Sequence, residues 1–296
     1  MIGIIIGIAL FVFGATLGSF AAAQVWRLRV RQLAADERAG ERISKKDRAQ
    51  VAMLAGRKHG AASDRSLCLH CGRVLAWYDL VPVISWLVTG GKCRTCHGRI
   101  GAMEFWVEIG LGGAFTLSYA VWPYHYDMMG VVLLSIWLVV LVLLAIHWMY
   151  DAKWFLLLDG VTIGILLAAI LFLAFRLTLV PAPFLGASLA KVGWIVLVLP
   201  GFYGLLYLLS RGRWIGLGDV KLLLPFALFL PSWEYGVLLI FLANLIGCAV
   251  LLPGMLTKRI TRATRVPFGP FLIAAFFVTM LFGQKILDFY IGALFF

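Results

Sequence analysis

Long apolar runs separated by short polar connections dominate the chain, and their lengths predict its architecture. A helix that crosses a hydrocarbon core needs about 20 predominantly apolar residues. Runs of this character cover 2–23, 103–121, 130–149, 156–175, 190–209, 220–230, 236–256 and 268–282. The pattern predicts an all-α polytopic membrane protein with about eight transmembrane helices. The sixth run is too short for an upright span and contains Pro225, so a broken or re-entrant segment is expected there. One long polar interval interrupts the series and divides the chain into three: a first transmembrane helix over 1–24, a basic, cysteine-bearing domain over 25–102, and a membrane core over 103–296.

Composition agrees, since 62% of the 296 residues are hydrophobic and 14% charged, a balance outside that of soluble domains. The net charge of +12 is distributed unevenly. Residues 25–102 carry 15 of the 26 Lys and Arg residues. If that interval is cytoplasmic, strict alternation puts 151–153, 211–221 and 258–265 on the same side, which then holds 23 of the 26. The first run lacks a basic leader region and is followed by Arg27, Arg29 and Arg31, as in a retained anchor with its N-terminus outside. The basic residues are spread over several membrane-flanking loops, which argues for anionic lipid head groups as partners and against nucleic acid. Arg42, Lys45, Lys46, Arg57 and Lys58 are the candidates for lipid contact.

Two Cys-x-x-Cys pairs, Cys68/Cys71 and Cys93/Cys96, stand 21 residues apart. Such pairs read as a tetrathiolate zinc site, with disulfides or a redox motif as alternatives. A reducing cytoplasm favours the metal. Arg73, Lys92, Arg94 and Arg99 offset the excess thiolate charge, and His70 and His97, which could substitute as ligands, read first as surface neighbours. The stretch from Trp77 to Trp86 supplies apolar filling or a surface resting on the membrane.

Acidic residues near a bilayer need a reason, because Asp costs roughly 2.5–3.5 kcal/mol at the centre of a spanning helix. Asp219 lies in Gly216-Leu217-Gly218-Asp219-Val220-Lys221, where it could also serve as a helix cap. Glu104 and Glu108 are four apart and share a face at the start of the second span. Asp151 and Asp159 are eight apart, on neighbouring faces if the fourth span starts early. Gly14, Gly18 and Ala22 form a small-residue face, and Gly110, Gly112 and Gly113 suit packing. The alternation that gathers the basic loops also brings Asp151 and Asp219 to one membrane face. Two carboxylates sharing a proton can divide the work, one activating water while the other protonates a scissile carbonyl. Neither Gly-x-Ser-x-Gly nor His-Glu-x-x-His is present, so an aspartyl protease working at the membrane fits best. An ion-coupled transporter using paired carboxylates is the rival reading, and a zinc-dependent scaffold a third.

From end to end these signals resemble the bacterial type IV prepilin peptidases, membrane aspartyl proteases of the Gly-x-Gly-Asp type that also N-methylate their product. The resemblance rests on Gly18-Ser19-Phe20 with Arg27, on the two Cys pairs around Trp77-Tyr78-Asp79, Pro82 and Ser85-Trp86, and on Glu108. It continues through Asp151, through Gly216 to Lys221, and through Val266-Pro267-Phe268-Gly269-Pro270-Phe271. Ala22, Leu69 and Leu158 depart from the usual pattern, which has Asn at the first and Pro at the other two. The resemblance implies Asp151 and Asp219 as catalytic residues, supported by Gly216, Gly218 and Lys221, and a structural zinc on the four cysteines. It further implies a bacterial inner-membrane location and prepilin or pseudopilin substrates whose short basic leader is cut after a Gly. S-adenosylmethionine would then methylate the new N-terminus, through residues that the sequence does not disclose. A basic leader meeting basic loops would draw on Glu104, Glu108 or Asp159 for attraction.

Overall fold

The computed structural model describes residues 2–41, 44, 66–258, 264 and 266–295. The five basic residues proposed for lipid contact, Arg42, Lys45, Lys46, Arg57 and Lys58, lie outside them. The helices are α1 (Ile2–Arg38), a short α2 (Ile84–Thr89), α3 (Ala102–Ala120), α4 (Met128–Trp154), α5 (Asp159–Thr178), α6 (Leu185–Val196), α7 (Phe202–Ser210), α8 (Leu217–Phe229), α9 (Trp233–Leu256) and α10 (Gly269–Phe295). The described residues contain no β-strand, only the isolated bridges Leu67–Val74 and Lys92–Arg99. This is the all-α architecture that the apolar runs predict.

Among the described residues, six helical stretches are long and apolar enough to cross a membrane: α1, α4, α5, the composite Ala182–Ser210, α9 and α10. The other two expected runs are α3, which carries Glu104 and Glu108, and α8. With 13 residues α8 is about 20 Å long, short of a hydrocarbon core of about 30 Å. Pro225 lies inside it without ending it. The irregular span is instead the fifth, where Pro200 sits in a π-helical turn over Leu197–Gly201 that joins α6 to α7. Proline cannot donate to the carbonyl one turn back, and a widened turn is one way a helix absorbs that loss. Past its apolar part, α1 runs on without a break to Arg38, so the first arginines after the span are helical.

The chain divides into two compact units, Met1–Leu117 and Ser118–Phe296. In the first, α1 lies against α3 through its small-residue face. A Cβ added at Gly14 would sit 2.8 Å from the Leu111 carbonyl oxygen, and one at Gly18 would sit 2.8 Å from the Glu108 Cα. Thr116 Oγ1 donates to the Gly7 carbonyl at 3.0 Å across the same contact. Of the three glycines in α3, only Gly112 meets a neighbour, Phe11 of α1. Lipid tails are as apolar as leucine, so close packing and interhelical hydrogen bonds, rather than burial from water, hold such helices together.

The second unit is organised around α8. Leu222, Leu223, Phe226 and Phe229 are fully buried. Phe226 stacks on Phe276 of α10 with ring centroids 3.9 Å apart and planes 4° from parallel. Trp137 of α4 meets Phe229 and Phe276 edge-on and donates through Nε1 to Ser118 Oγ at 2.9 Å. Aromatic pairs of this kind contribute roughly 0.5–1.5 kcal/mol beyond their contact area. A helix that ends within a packed unit leaves carbonyls without partners. Arg176 of α5 answers one of them, donating from Nη1 to the Phe229 carbonyl at 2.6 Å. Thus α8 is fixed at one end by a guanidinium and along its length by aromatic packing, and it presents Asp219 from its first turn.

Candidate active site and metal centre

Asp151 belongs to the last turn of α4, which continues to Trp154 before Phe155 turns into the left-handed region at φ 58° and donates its N–H to the Asp151 carbonyl. It therefore ends one span rather than opening the next, and Asp159 stands on a different helix, at the start of α5. The run 150–154 contains no helix breaker, so the boundary falls five residues later than hydropathy alone suggests. Asp151 is buried, with 6% of its surface exposed. Its Oδ2 accepts the Gly269 N–H at 3.0 Å. Gly269 opens α10, where the first amides have no partner inside the helix and carry a partial positive charge.

Asp219 lies in the first turn of α8, after Gly216 at the N-cap position with extended backbone. The Gly216 amide also reaches its carboxylate, and Asp219 lies within electrostatic reach of Asp151. Two glycines let the segments close on one side chain. A Cβ at Gly218 would sit 3.1 Å from Leu157 Cβ, and one at Gly269 would sit 3.5 Å from Leu157 Cδ2 and 2.6 Å from Asp151 Oδ2. Leu157, between α4 and α5, thus touches both the Gly-x-Gly-Asp turn and the start of α10. Tyr203 of α7 borders the site as well, interacting with Asp219 and with the Asn244 side chain, and its ring stacks on Phe268 at 6.4 Å. Sequence reasoning passed over Leu157, Tyr203 and Asn244. A lone Asn within an apolar span was the one signal available for them.

The other acidic candidates separate. Lys221 Nζ donates to Asp159 Oδ1 at 2.8 Å, both groups exposed. An exposed pair of this kind contributes about 0–1 kcal/mol, so it orients the start of α8 against α5 more than it stabilises the fold. It also engages the charge of Asp159. Glu104 and Glu108 belong to the first unit. Glu108 is buried and its Oε2 accepts the Val83 N–H at 2.7 Å, with the Ser19 hydroxyl as a second partner. Val83 stands at φ 62°, ψ −54°, and Ile84 N–H donates to the Pro82 carbonyl at 2.5 Å. A γ-turn of this hand on a β-branched residue is strained, by roughly 1–3 kcal/mol. The hydrogen bond from its amide to a carboxylate offsets that strain.

The cysteine pairs form two similar loops. Cys68 N–H donates to the Arg73 carbonyl and Cys93 N–H to the Gly98 carbonyl, each at 2.9 Å. Four residues after each first cysteine the backbone turns to positive φ, on Gly72 at 67° and on His97 at 53°. All four cysteines are free of disulfides, and their sulfurs lie within 4.8 Å of one another. Tetrahedral zinc with bonds of about 2.3 Å would set sulfurs about 3.8 Å apart. Cys68 and Cys96 already stand at 3.9 Å. The set fits a tetrahedral metal ion. Amides of Cys96 and Thr95 point at Cys93 and lower its thiol pKa to about 6, while at Cys96 the pull of the Gly98 amide is outweighed by burial and the neighbouring thiols, which push that thiol up to about 11. A metal requires thiolates, and its positive charge would favour them at both. His70 is not a ligand here, since its Nε2 pairs with the Arg99 carbonyl at 3.0 Å and ties one loop to the other. Asp79 makes a second tie that sequence reasoning assigned to apolar filling. Its carboxylate, 8% exposed, accepts Arg73 at 2.8 Å, Arg94 at 3.0 Å and the Ala76 amide at 3.1 Å.

One substitution tests the contact between α10 and Asp151. Gly269→Ala would force a methyl group against a buried carboxylate oxygen, so either Asp151 or the start of α10 must move. Positioned proton transfer contributes about 10²–10⁴-fold to a rate, and we expect most of it to be lost, with the pH–rate profile displaced. The measurement is peptide-bond cleavage across a pH series. An unaltered profile at wild-type rate would show that the amide does not orient the carboxylate.

Comparison with known proteins bears on this arrangement. Residues 12–122 match the family model described as Bacterial Peptidase A24 N-terminal domain. The Type 4 prepilin-like proteins leader peptide-processing enzyme of Escherichia coli O78:H11 is 31% identical, over 91% of this chain and 93% of that protein. The Prepilin leader peptidase/N-methyltransferase of Pseudomonas aeruginosa is 31% identical over 75% of this chain and 72% of its own length, and that of Legionella pneumophila 27% identical over 77% and 76%. No solved structure gives a significant match. Similarity that runs through both units at this level, on a chain whose described residues bring two aspartates and four cysteines into separate clusters, establishes that the protein belongs to the type IV prepilin leader peptidase family.

Proposed function

We propose that this protein is a membrane endopeptidase that removes the short basic leader of type IV prepilins or pseudopilins and then N-methylates the exposed residue. The observation that carries the reading is the meeting of Asp151, on α4, with Asp219, on α8, beside the Gly269 amide. Asp151, whose oxygen already accepts an amide hydrogen, is suited to hold the negative charge and take a proton from the attacking water. Asp219 holds the shared proton and passes it to the carbonyl oxygen as the water oxygen bonds to carbon. Collapse of the tetrahedral species breaks the C–N bond, and the leaving amine takes up a proton. No covalent enzyme intermediate is required.

The distribution of 23 of 26 basic residues supports a cytoplasmic position for the cysteine module and the dyad, in a bacterial inner membrane with the N-terminus outside. Cys68, Cys71, Cys93 and Cys96 hold a structural zinc ion. Gly216 and Gly218 shape the turn that presents Asp219, and Lys221 anchors it through Asp159. With Asp159 so engaged, Glu104 and anionic lipid head groups are the better attraction for a basic leader. S-adenosylmethionine, when bound, supplies an electrophilic methyl group. The test uses the full chain reconstituted in lipid nanodiscs with a leader-bearing precursor, followed by mass spectrometry. Leader release after a Gly is expected with or without S-adenosylmethionine, and one added methyl group on the product only with it. A precursor left whole by the wild-type protein would sink the reading.

A further inference from the structure

One buried ionisable side chain of the second unit takes no part in the cleavage chemistry. His147 lies within the apolar run of α4, fully buried, four residues before Asp151 and so one turn back along the same face of the helix. Such a group inside a spanning helix is costly and marks a function. Its Nε2 stands 3.0 Å from Thr162 Oγ1 of α5. The single hydroxyl hydrogen of Thr162 goes to the Leu158 carbonyl at 3.2 Å, so the imidazole is the donor to Thr162 and carries its hydrogen on Nε2. Nδ1 is buried without a hydrogen-bond partner among the described residues, and the ring's polar contact therefore runs to α5.

The bond matters for where it leads. Residues 155–158 link α4 to α5, and Leu158 is the N-cap of α5. Its carbonyl accepts the Val161 and Thr162 amides at 3.0 Å each, as well as the Thr162 hydroxyl. The preceding side chain, Leu157, rests against both Gly218 in the Asp219 turn and Gly269 at the start of α10. A line of hydrogen bonds thus runs from His147 through Thr162 to the turn that packs between the aspartate-bearing segments. On its other side the first turn of α5 is tied by Asp159 to Lys221 of α8. The start of α5 therefore braces α4 against α8, the two helices that carry the aspartates. Its exposed half is an ion pair that water competes for, and its buried half is His147 with Thr162, where water does not compete.

We propose that His147 is a positioning residue for peptide cleavage: through Thr162 it holds the 155–158 turn, and with it Leu157, so that Asp151 and Asp219 keep the separation at which they share a proton. The inference rests on the cleavage half of the function proposed above. No proton passes through the ring. Hydrogen bonds between spanning helices add little to stability, so the loss is expected in the rate rather than in the fold.

The test measures steady-state cleavage of a leader-bearing precursor by the full chain in nanodiscs, with kcat and KM separated and thermal unfolding followed in parallel. His147→Leu removes the donor and should lower kcat roughly 10–10²-fold, the scale of a misplacement of about 1 Å, with KM and the unfolding temperature near wild type. Thr162→Val, which lacks the acceptor at nearly constant shape, should lose as much, and the two together no more than either alone. Gln places an amide nitrogen close to the position of Nε2, and Asn places one close to that of Nδ1. His147→Gln should therefore keep most of the rate, and His147→Asn should not. That contrast between two neutral amides stands even where the Leu variant fails to fold. Wild-type kcat in His147→Leu, equal kcat in the Gln and Asn variants, or additive losses would overturn the assignment and leave the cleavage reading in place. A wild-type protein that cuts no precursor would end both.

Discussion

Asp151→Asn and Asp219→Asn will each leave leader-bearing precursor uncut, with rates at least 10²–10⁴-fold below wild type. Asparagine keeps the shape of aspartate, and its amide oxygen can still accept the Gly269 N–H, so the helices have no reason to move. What it removes is the proton that the proposed mechanism shares between the two carboxylates. Because the pair works as a unit, the double substitution should cost little more than either alone. The metal should be unaffected, since the cysteines belong to the other compact unit. Asp159→Asn serves as the internal comparison: it removes an exposed ion pair with Lys221 and should lower the rate severalfold at most. Normal processing by either dyad variant, in cells or in nanodiscs, would remove that aspartate from the mechanism.

The second large effect concerns the metal. Wild-type protein should carry about one zinc ion per chain, and Cys68→Ser with Cys71→Ser should carry none. Structural zinc contributes roughly 10–16 kcal/mol of apparent binding free energy in finger peptides, and that energy is folding energy. The module has little else of comparable size. Cys68 and Cys93 are its buried sulfurs, while Trp77, Tyr78, Leu80, Ile84 and Leu87 are exposed. The polar ties are Asp79 with Arg73 and Arg94, and His70 with the Arg99 carbonyl. Partly exposed ion pairs of this type are worth about 1 kcal/mol or less each, and they do not replace a metal. Without zinc, limited proteolysis should cut within 66–101 while the helical signal of the membrane segments persists. Protease resistance unchanged by a chelator would show that the module stands without metal.

How far the sequence reaches can be judged from particular residues. Asp151 and Asp219 could be proposed as partners because charge bias fixed which ends of the apolar runs share a membrane face. The cysteine set could be proposed because thiolates in two Cys-x-x-Cys pairs have few other uses in a reducing compartment. The Gly14–Gly18 face could be read from four-residue spacing and does lie on α3. Other features escaped. The sixth run was expected to be short and broken or re-entrant, and α8 is indeed short, but Pro225 does not break it and the irregular turn is at Pro200, because α8 is held on several sides by aromatic packing and at its end by Arg176. Asp159 looked like a free acid, and Lys221 engages it from a helix 62 residues away in sequence. Asp79 looked like part of an apolar filling, and it joins the two cysteine loops.

The sequence by itself determined that the chain is a helical membrane protein, which runs are apolar, which residues are the candidates for its chemistry, and the small-residue stripe on α1. These follow from hydropathy, charge bias and local spacing, which act along one segment at a time. Only the tertiary structure decided that an amide from the first turn of α10 meets Asp151, that Leu157 lies between two glycines on different helices, and that Glu108 restrains a strained turn at Val83. The physical reason is that each is a contact between segments distant in sequence, set by how helices of given lengths and faces pack, and no periodicity within a single segment records it.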